Sequence, residues 1–342
     1  MAWSKRHLLG IEGLDAAEIV EVLDTAANMK EISSREIKKV PVLRGKTIIN
    51  LFFEASTRTR ISFEIAEKRL SADAVNFSAS GSSISKGECL IDTARNLEAM
   101  NPDIVVVRHS CPGVPGLLAD RLRCSIINAG DGAHEHPTQA LLDAFTIRER
   151  LGRVEGLKVG IYGDISHSRV ARSNIIALRA LGAGVVVGGP PTMLPFGTSS
   201  LGVEIVERLE DMIPRVDVLM MLRLQLERQE EALIPSPREY SNLFGLTKEK
   251  LSLARREIVI MHPGPVNRGI EISPDVVDGP WSLVLDQVAN GVAVRMALLY
   301  LISGAASIPR GEGGGEERRW RASDGAAAPP TAVRSRREGA GE

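Results

Sequence analysis

The sequence predicts an α/β protein built from two doubly wound parallel-sheet domains. Three observations carry that reading. Short apolar, β-branched runs alternate with amphipathic stretches, the runs fall into two sets of four, and 342 residues exceed one typical domain of ~150 residues. Near-continuous apolar strands separated by helices belong to parallel sheets covered on both faces. The first set is TIINLFF (47–53), AVNF (74–77), DIVVVR (103–108) and SIINAG (125–130). The second is LKVGIYGD (157–164), GVVVGG (184–189), DVLMML (217–222) and EIVIMHPG (257–264). Between them, 88–100, 137–151 and 168–181 have helical spacing, as do Phe63, Ala66 and Leu70 after the first strand.

HPTQALLDAFTIRERLG reads as a helix crossing between domains, which gives a first domain over 1–150 and a second over 151–285. A last helix within WSLVLDQVANGVAVRMALLYLI, centred on 286–304, is long enough to pack back on the first domain. From Ala305 the chain turns rich in Gly, Ala, Arg, Glu and Pro, so 305–342 is expected to be a disordered tail. Its seven arginines stand against six acids, which does not favour a nucleic-acid arm.

Bulk properties narrow the function classes. A formal net charge of −1 gives no global field for nucleic acid or an acidic membrane. Cys89, Cys111 and Cys124 have neither CxxC nor metal-ligand spacing, as suits a reduced cytoplasmic protein. The opening MAWSKRHLLGIEGLD is charged too early for a secretory signal. No uninterrupted apolar run approaches ~18 residues, so no membrane span is expected.

In open α/β sheets ligands bind beyond the carboxyl ends of the strands. After the first strand come Ser56, Thr57, Arg58, Thr59 and Arg60, hydroxyls and guanidinium groups at a helix start, which suits a phosphate. The alternative is a helix cap with solvent-facing arginines, but a cap accounts for one hydroxyl and not the cluster. Arg108-His109 comes after the third strand, and DGAHEHPTQ places His136, Thr138 and Gln139 at the start of the crossing helix. His136 is either a carbonyl polariser or a capping residue. GSSISKGE (81–88) reads as a mobile loop carrying Lys86, or simply as a solvated connection. In the second domain Arg169 comes after GIYGD, Arg223 and Gln225 after the seventh strand, and HPGPVNRG after the eighth, where Gly264-Pro265 is a candidate cis peptide. Arg169 and Arg223 are either surface arginines or holders of a second anion. No GxxxxGK[ST] proposes a nucleoside triphosphate, and no HExxH, CxxC or acidic cluster proposes a metal. Neither metal nor cofactor is expected.

STRTR, SKGE, Arg108-His109, HPTQ, Arg169 after GD, RLQ and HPGPVNRG, in that order over residues 1–304, resemble the aspartate carbamoyltransferase catalytic chain. RLQ and HPGP separate it from ornithine enzymes, which typically carry SMG and HCLP segments. The resemblance implies a carbamoyl-phosphate domain, a Rossmann-like aspartate domain, and the first committed step of pyrimidine synthesis. Carbamoyl phosphate would be held by Ser56, Thr57, Arg58, Thr59 and Arg108, with Ser82 and Lys86 supplied by a neighbouring subunit in a homotrimer. Thr59, Arg108 and His136, with Arg58, would form the catalytic set. Gln139 and the carbonyls of Pro263 and Gly264 would bind the carbamoyl NH2. Arg169, Arg223 and Lys86 would pair with the carboxylates of aspartate, which Gln225 orients. Glu54 would steady Arg169 or Arg228, or be a plain surface ion pair. HPGPVNRG resembles the branch that works as a plain trimer or with dihydroorotase rather than with a regulatory chain.

Rival readings are a transcarbamylase for another amine such as ornithine, an idle homologue acting as a scaffold, and an NAD-binding oxidoreductase built on GIYGD. A cationic ornithine side chain would ask for an acid where this sequence offers arginines. An idle site has no need to keep STRTR, HPTQ and RLQ together. GIYGD lacks the third Gly of GxGxxG.

Overall fold

A computed structural model describes residues 3–78, 89–225 and 233–306. The eight expected strands are all present: β1 (Thr47–Phe52), β2 (Asp73–Ser78), β3 (Ile104–His109), β4 (Ser125–Asp131), β5 (Lys158–Tyr162), β6 (Gly184–Gly188), β8 (Val218–Met221) and β9 (Val259–Met261). Sequence patterning misses β7 (Glu204–Ile205), an exposed two-residue edge strand too short for any periodic signal.

Both sheets are wholly parallel. The first has the order β2-β1-β3-β4 and the second β7-β6-β5-β8-β9. In each, the direction of winding reverses once, between β1 and β3 and between β5 and β8. Those reversals open a crevice at the carboxyl ends of the strands. Central strands are buried on both faces; β4 is buried at all seven positions, and β1 at five of six.

Helices cover the sheets. Among them are α1 (Ala16–Ser34), α2 (Thr57–Arg69), α3 (Leu90–Ala99), α4 (Val114–Ala119), α5 (Pro137–Leu151) and α6 (Arg169–Ala180). α1 lies outside the expected helices. Its start is nevertheless written in DAAE: the Asp15 side chain accepts from Glu18 N, and Glu18 returns the bond to Asp15 N, a reciprocal cap. α5 begins at Pro137 and ends before Gly152, which is left-handed at φ 75°, the Pro-start and Gly-stop pattern of a well-delimited helix. The C-terminal helix, Val284–Ala306, packs against α1, α2 and α5 through residues such as Val294, Leu298 and Ile302. Over Val284–Gly304 it is long and apolar enough to cross a membrane, but most of its apolar stretch is buried inside the protein. Burial against three helices is what a core helix shows. The 305–342 tail falls almost entirely outside the described residues.

α2 carries an unusual burden. Glu67 faces the underside of β1 with no exposure and accepts one bond, from Asn50 Nδ2 at 2.9 Å. Its Oε1 has no hydrogen-bond partner. Burial pushes this carboxyl up to about 7. The unfolded chain gives up the same proton near its ordinary value of 4.5, so stability is present below that pH and is lost as pH rises toward 7. The loss is on the order of 3 kcal/mol. Glu67→Gln should therefore match the parent near pH 4.5 and exceed it by ~3 kcal/mol at pH 8. Urea unfolding at the two pH values tests this, and a constant difference would remove Glu67 as the cause.

Candidate active site

The two winding reversals face each other across a cleft of about 610 Å³. Ser56, Thr57, Arg58, Thr59, Arg108, His136, Gln139, Arg169, Arg223, Gln225, Pro263 and Gly264 all line it. Ser82, Lys86 and Arg228 lie outside the described residues.

The first wall is the β1–α2 junction. Ser56 is the N-cap of α2, in extended conformation, yet its side chain makes no capping hydrogen bond. The hydroxyl is thus not spent on the helix, and the first N–H groups of α2 open toward the cleft with the positive end of the helix dipole. Thr59 is buried, whereas Arg58 is exposed to the cleft, where partial desolvation lowers its pKa without discharging it. Its guanidinium passes over Gly264, where a Cβ would lie 3.2 Å from Arg58 Cζ. Gly264 also has φ +66°, a left-handed conformation that costs glycine nothing, and its peptide bond to Pro265 is cis.

Arg108, at the end of β3, is buried and donates to the Ala129 carbonyl at 3.2 Å and to Glu54 Oε1 at 2.8 Å. Arg169, the first residue of α6, crosses from the second domain to the same carboxylate. Its Nη1 donates to Glu54 Oε2 at 3.0 Å and its Nη2 to Oε1 at 2.8 Å. Nη1 also reaches the Gly132 carbonyl at 3.1 Å. Glu54 is therefore no plain surface ion pair: it sits between two buried guanidinium groups, one from each domain. Gly130 makes room for both, since a Cβ there would come within 3.0 Å of Arg169 Cζ and 3.1 Å of Arg108 Nη1.

His136 is the N-cap of α5 and is buried. Its backbone N–H donates to Ser173 Oγ on α6 at 2.9 Å, and its Nδ1 lies 3.4 Å from Thr138 Oγ1. Gln139, one turn into the helix, donates its Nε2 to Asp143 Oδ1 at 2.9 Å. On the far wall Gln225 Nε2 donates to the His167 carbonyl at 3.1 Å, beside the half-buried Arg223. His109 turns away from this group: its Nδ1 accepts from Cys111 N at 2.9 Å, and its ring meets Phe53 edge-on at 5.0 Å.

The residues from 6 to 149 match the family described as aspartate/ornithine carbamoyltransferase, carbamoyl-P binding domain, and residues 155–302 match its Asp/Orn binding domain. The chain belongs to the aspartate/ornithine carbamoyltransferase family. Among similar proteins, the aspartate carbamoyltransferase catalytic subunit of Syntrophotalea carbinolica is 62% identical over 304 residues, covering 89% of this chain and 97% of that one. Aspartate transcarbamoylase from Trypanosoma cruzi in complex with N-(phosphonacetyl)-L-aspartic acid superposes with a TM-score of 0.79 at 32% identity, over 88% of this chain and 97% of that one. Ornithine carbamoyltransferase from Pyrococcus furiosus gives 0.78 at 31%, over 89% and 99%. The fold is therefore common to both branches and does not by itself choose between aspartate and ornithine.

The cleft also holds residues that sequence reasoning misses. Arg295, in the C-terminal helix, lines the cleft and is buried. It donates to Ser62 Oγ and the Gly291 carbonyl, each at 3.0 Å, and lies 5.1 Å from the centre of the Phe63 ring. Burial lowers its pKa to about 10, so it stays a cation beneath α2. Its signal is the lone charge within VAVRMALLYLI. Asp143 and Gln287, buried behind Gln139, carry no such signal.

Proposed function

We infer that this carbamoyltransferase moves the carbamoyl group of carbamoyl phosphate to the amine of L-aspartate, giving N-carbamoyl-L-aspartate and phosphate. One observation carries the choice of aspartate. The cleft wall contributed by the second domain offers Arg169 and Arg223. Glu54 is the one acid among the described lining residues, and it is engaged by Arg108 and Arg169. A dicarboxylate suits that wall, whereas the ammonium of ornithine would meet like charge. Purified protein given carbamoyl phosphate should turn over with aspartate and not with ornithine; the reverse preference would overturn the reading.

In the proposed assignment the phosphate rests on Ser56, Thr57, Arg58, Thr59 and the α2 N-terminus, with Arg108 from β3. The carbamoyl oxygen faces Thr59, Arg108 and His136, donors fixed in place before reaction. The amine nitrogen of aspartate attacks the carbamoyl carbon, and a C–N bond forms as the carbonyl becomes a tetrahedral oxyanion. The C–O bond to phosphate then breaks, and the departing phosphate takes the proton released by the amine. No side chain forms a covalent bond with substrate, so the work of the protein is positioning and electrostatics.

The proposal extends to assembly. Ser82 and Lys86 are assigned to the neighbour's site in a homotrimer, and the free thiols of Cys89, Cys111 and Cys124 suit a reducing, cytoplasmic setting. Lys86→Ala and Arg58→Ala chains should each be inactive alone. Mixed after dissociation, they should regain activity at roughly a quarter of the sites, the share that random assortment in a cyclic trimer leaves with both residues intact. Mixed trimers without recovery would show that sites are not shared.

A further inference from the structure

A buried carboxylate behind the cleft sets which ends of two amides face outward. Asp143 lies on α5 one turn beyond Gln139 and has no exposure. Its Oδ1 accepts from Gln139 Nε2 at 2.9 Å and from Gln287 Nε2 at 2.8 Å, and its Oδ2 accepts from Asn174 Nδ2 at 2.8 Å. An ionised carboxylate can only accept hydrogen bonds. Each of the three amides must therefore turn its nitrogen toward Asp143 and its oxygen elsewhere. The orientation is dictated by the chemistry of the partner, with no freedom left to any of the amides.

The consequences run to the cleft by two routes. Gln139 lines it, and with Nε2 held by Asp143 the end it presents is Oε1, an acceptor. Gln287 turns its Oε1 to the backbone N–H of His262, 2.9 Å away. His262 Nδ1 in turn accepts from Gly264 N at 2.9 Å, so its other nitrogen carries the proton and donates to Glu271 Oε1 at 3.2 Å. That chain consumes two of the N–H donors in the His262–Gly264 turn, leaving carbonyls as the polar groups of Pro263 and Gly264. Asn174 comes from α6, so the network ties the crossing helix, the second domain and the C-terminal helix to one carboxylate.

We propose that Asp143 is a positioning residue that makes Gln139 and the Pro263–Gly264 turn a set of acceptors matched to the carbamoyl NH2. This rests on the reading of the cleft as a carbamoyl-phosphate site. It also gives the site a means to discriminate NH2 from an isosteric methyl group. A donor-only NH2 finds acceptors on both sides, whereas an acyl phosphate with a methyl in that place finds none of use to it. Burial holds the Asp143 carboxyl up to about 6, which leaves it ionised, and so acceptor-only, at neutral pH.

Asp143→Asn tests this with little change of shape. The new amide brings its own NH2 among three donors, so at least one neighbouring amide must turn over or lose its bond. The dissociation constants of carbamoyl phosphate, acetyl phosphate and inorganic phosphate are measured by calorimetry on parent and variant. Carbamoyl phosphate should weaken roughly 10- to 100-fold, the effect of leaving a buried donor without its acceptor, while the other two change less than about threefold, since neither carries the NH2. Gln287→Leu keeps the question open to test if Asp143→Asn does not fold. It cuts the route through His262 alone and should show the same selectivity at smaller size. Equal weakening of all three ligands would mean a merely structural role and would overturn the proposal, as would no change in any. A parent protein that binds inorganic phosphate but not carbamoyl phosphate would instead overturn the functional reading on which this rests.

Discussion

Arg58→Ala should lower kcat for carbamoyl transfer by roughly 10³-fold, the size seen when a preorganised group facing developing transition-state charge is removed. As phosphate leaves, negative charge accumulates on the oxygen that bridged it to the carbamoyl carbon. The α2 N-terminus supplies fixed partial charge, but Arg58 is the full positive charge at that corner, lying over Gly264 where the carbamoyl group is assigned to sit. The fold should not suffer, because the side chain is exposed to the cleft and is no part of the buried core. Stopped-flow or steady-state assays with saturating substrates give kcat, and a melting curve checks the fold. A loss confined to KM, with kcat retained, would show that Arg58 binds ground-state phosphate without acting on the leaving group.

Much of this arrangement is legible in the sequence because it rests on local chemistry. The strands announce themselves as β-branched runs, and each candidate side chain lies at or after a strand end. Ser56 through Thr59, Arg108, His136, Arg169 and Arg223 can therefore be found among the polar residues that end each apolar run. The network behind them is not legible in the same way. Asp143 lies in the middle of α5 and meets Gln287 from a segment 144 residues later; neither has a sequence neighbour that hints at the other. Glu54 reads from sequence only as a partner for an arginine. Its place between Arg108 and Arg169 depends on two sheets coming together, which no local pattern encodes. β7 is too short for periodicity, whereas α1 is legible in the sequence twice over, in its reciprocal cap and in the helical spacing of Ile19, Val22, Leu23, Ala26 and Met29.

The division between aspartate and ornithine enzymes bears on the second large effect. The fold superposes nearly equally on both branches and so does not choose the acceptor, whereas the charge of the wall opposite α2 favours a dicarboxylate. Arg223 and Arg169 form that wall, but they are not equivalent. Arg169 is buried and already gives a bidentate pair to Glu54, so it serves the junction of the domains as well as any ligand, and its removal would disturb both. Arg223 is half-buried, comes directly after β8, and stands beside Gln225, which is itself fixed to the His167 carbonyl. Arg223→Ala should remove a charge-assisted contact of ~3 kcal/mol to an aspartate carboxylate, roughly a hundredfold in kcat/KM for aspartate. The dissociation constant of carbamoyl phosphate should hold, because the proposed assignment gives Arg223 no contact with that ligand. Arg223→Lys should recover only part of the loss, since an ammonium keeps the charge but not the planar two-point fit to a carboxylate. Initial rates over a range of aspartate at saturating carbamoyl phosphate decide it. An unchanged kcat/KM would take Arg223 out of the site and leave Arg169 to account for the choice of acceptor on its own.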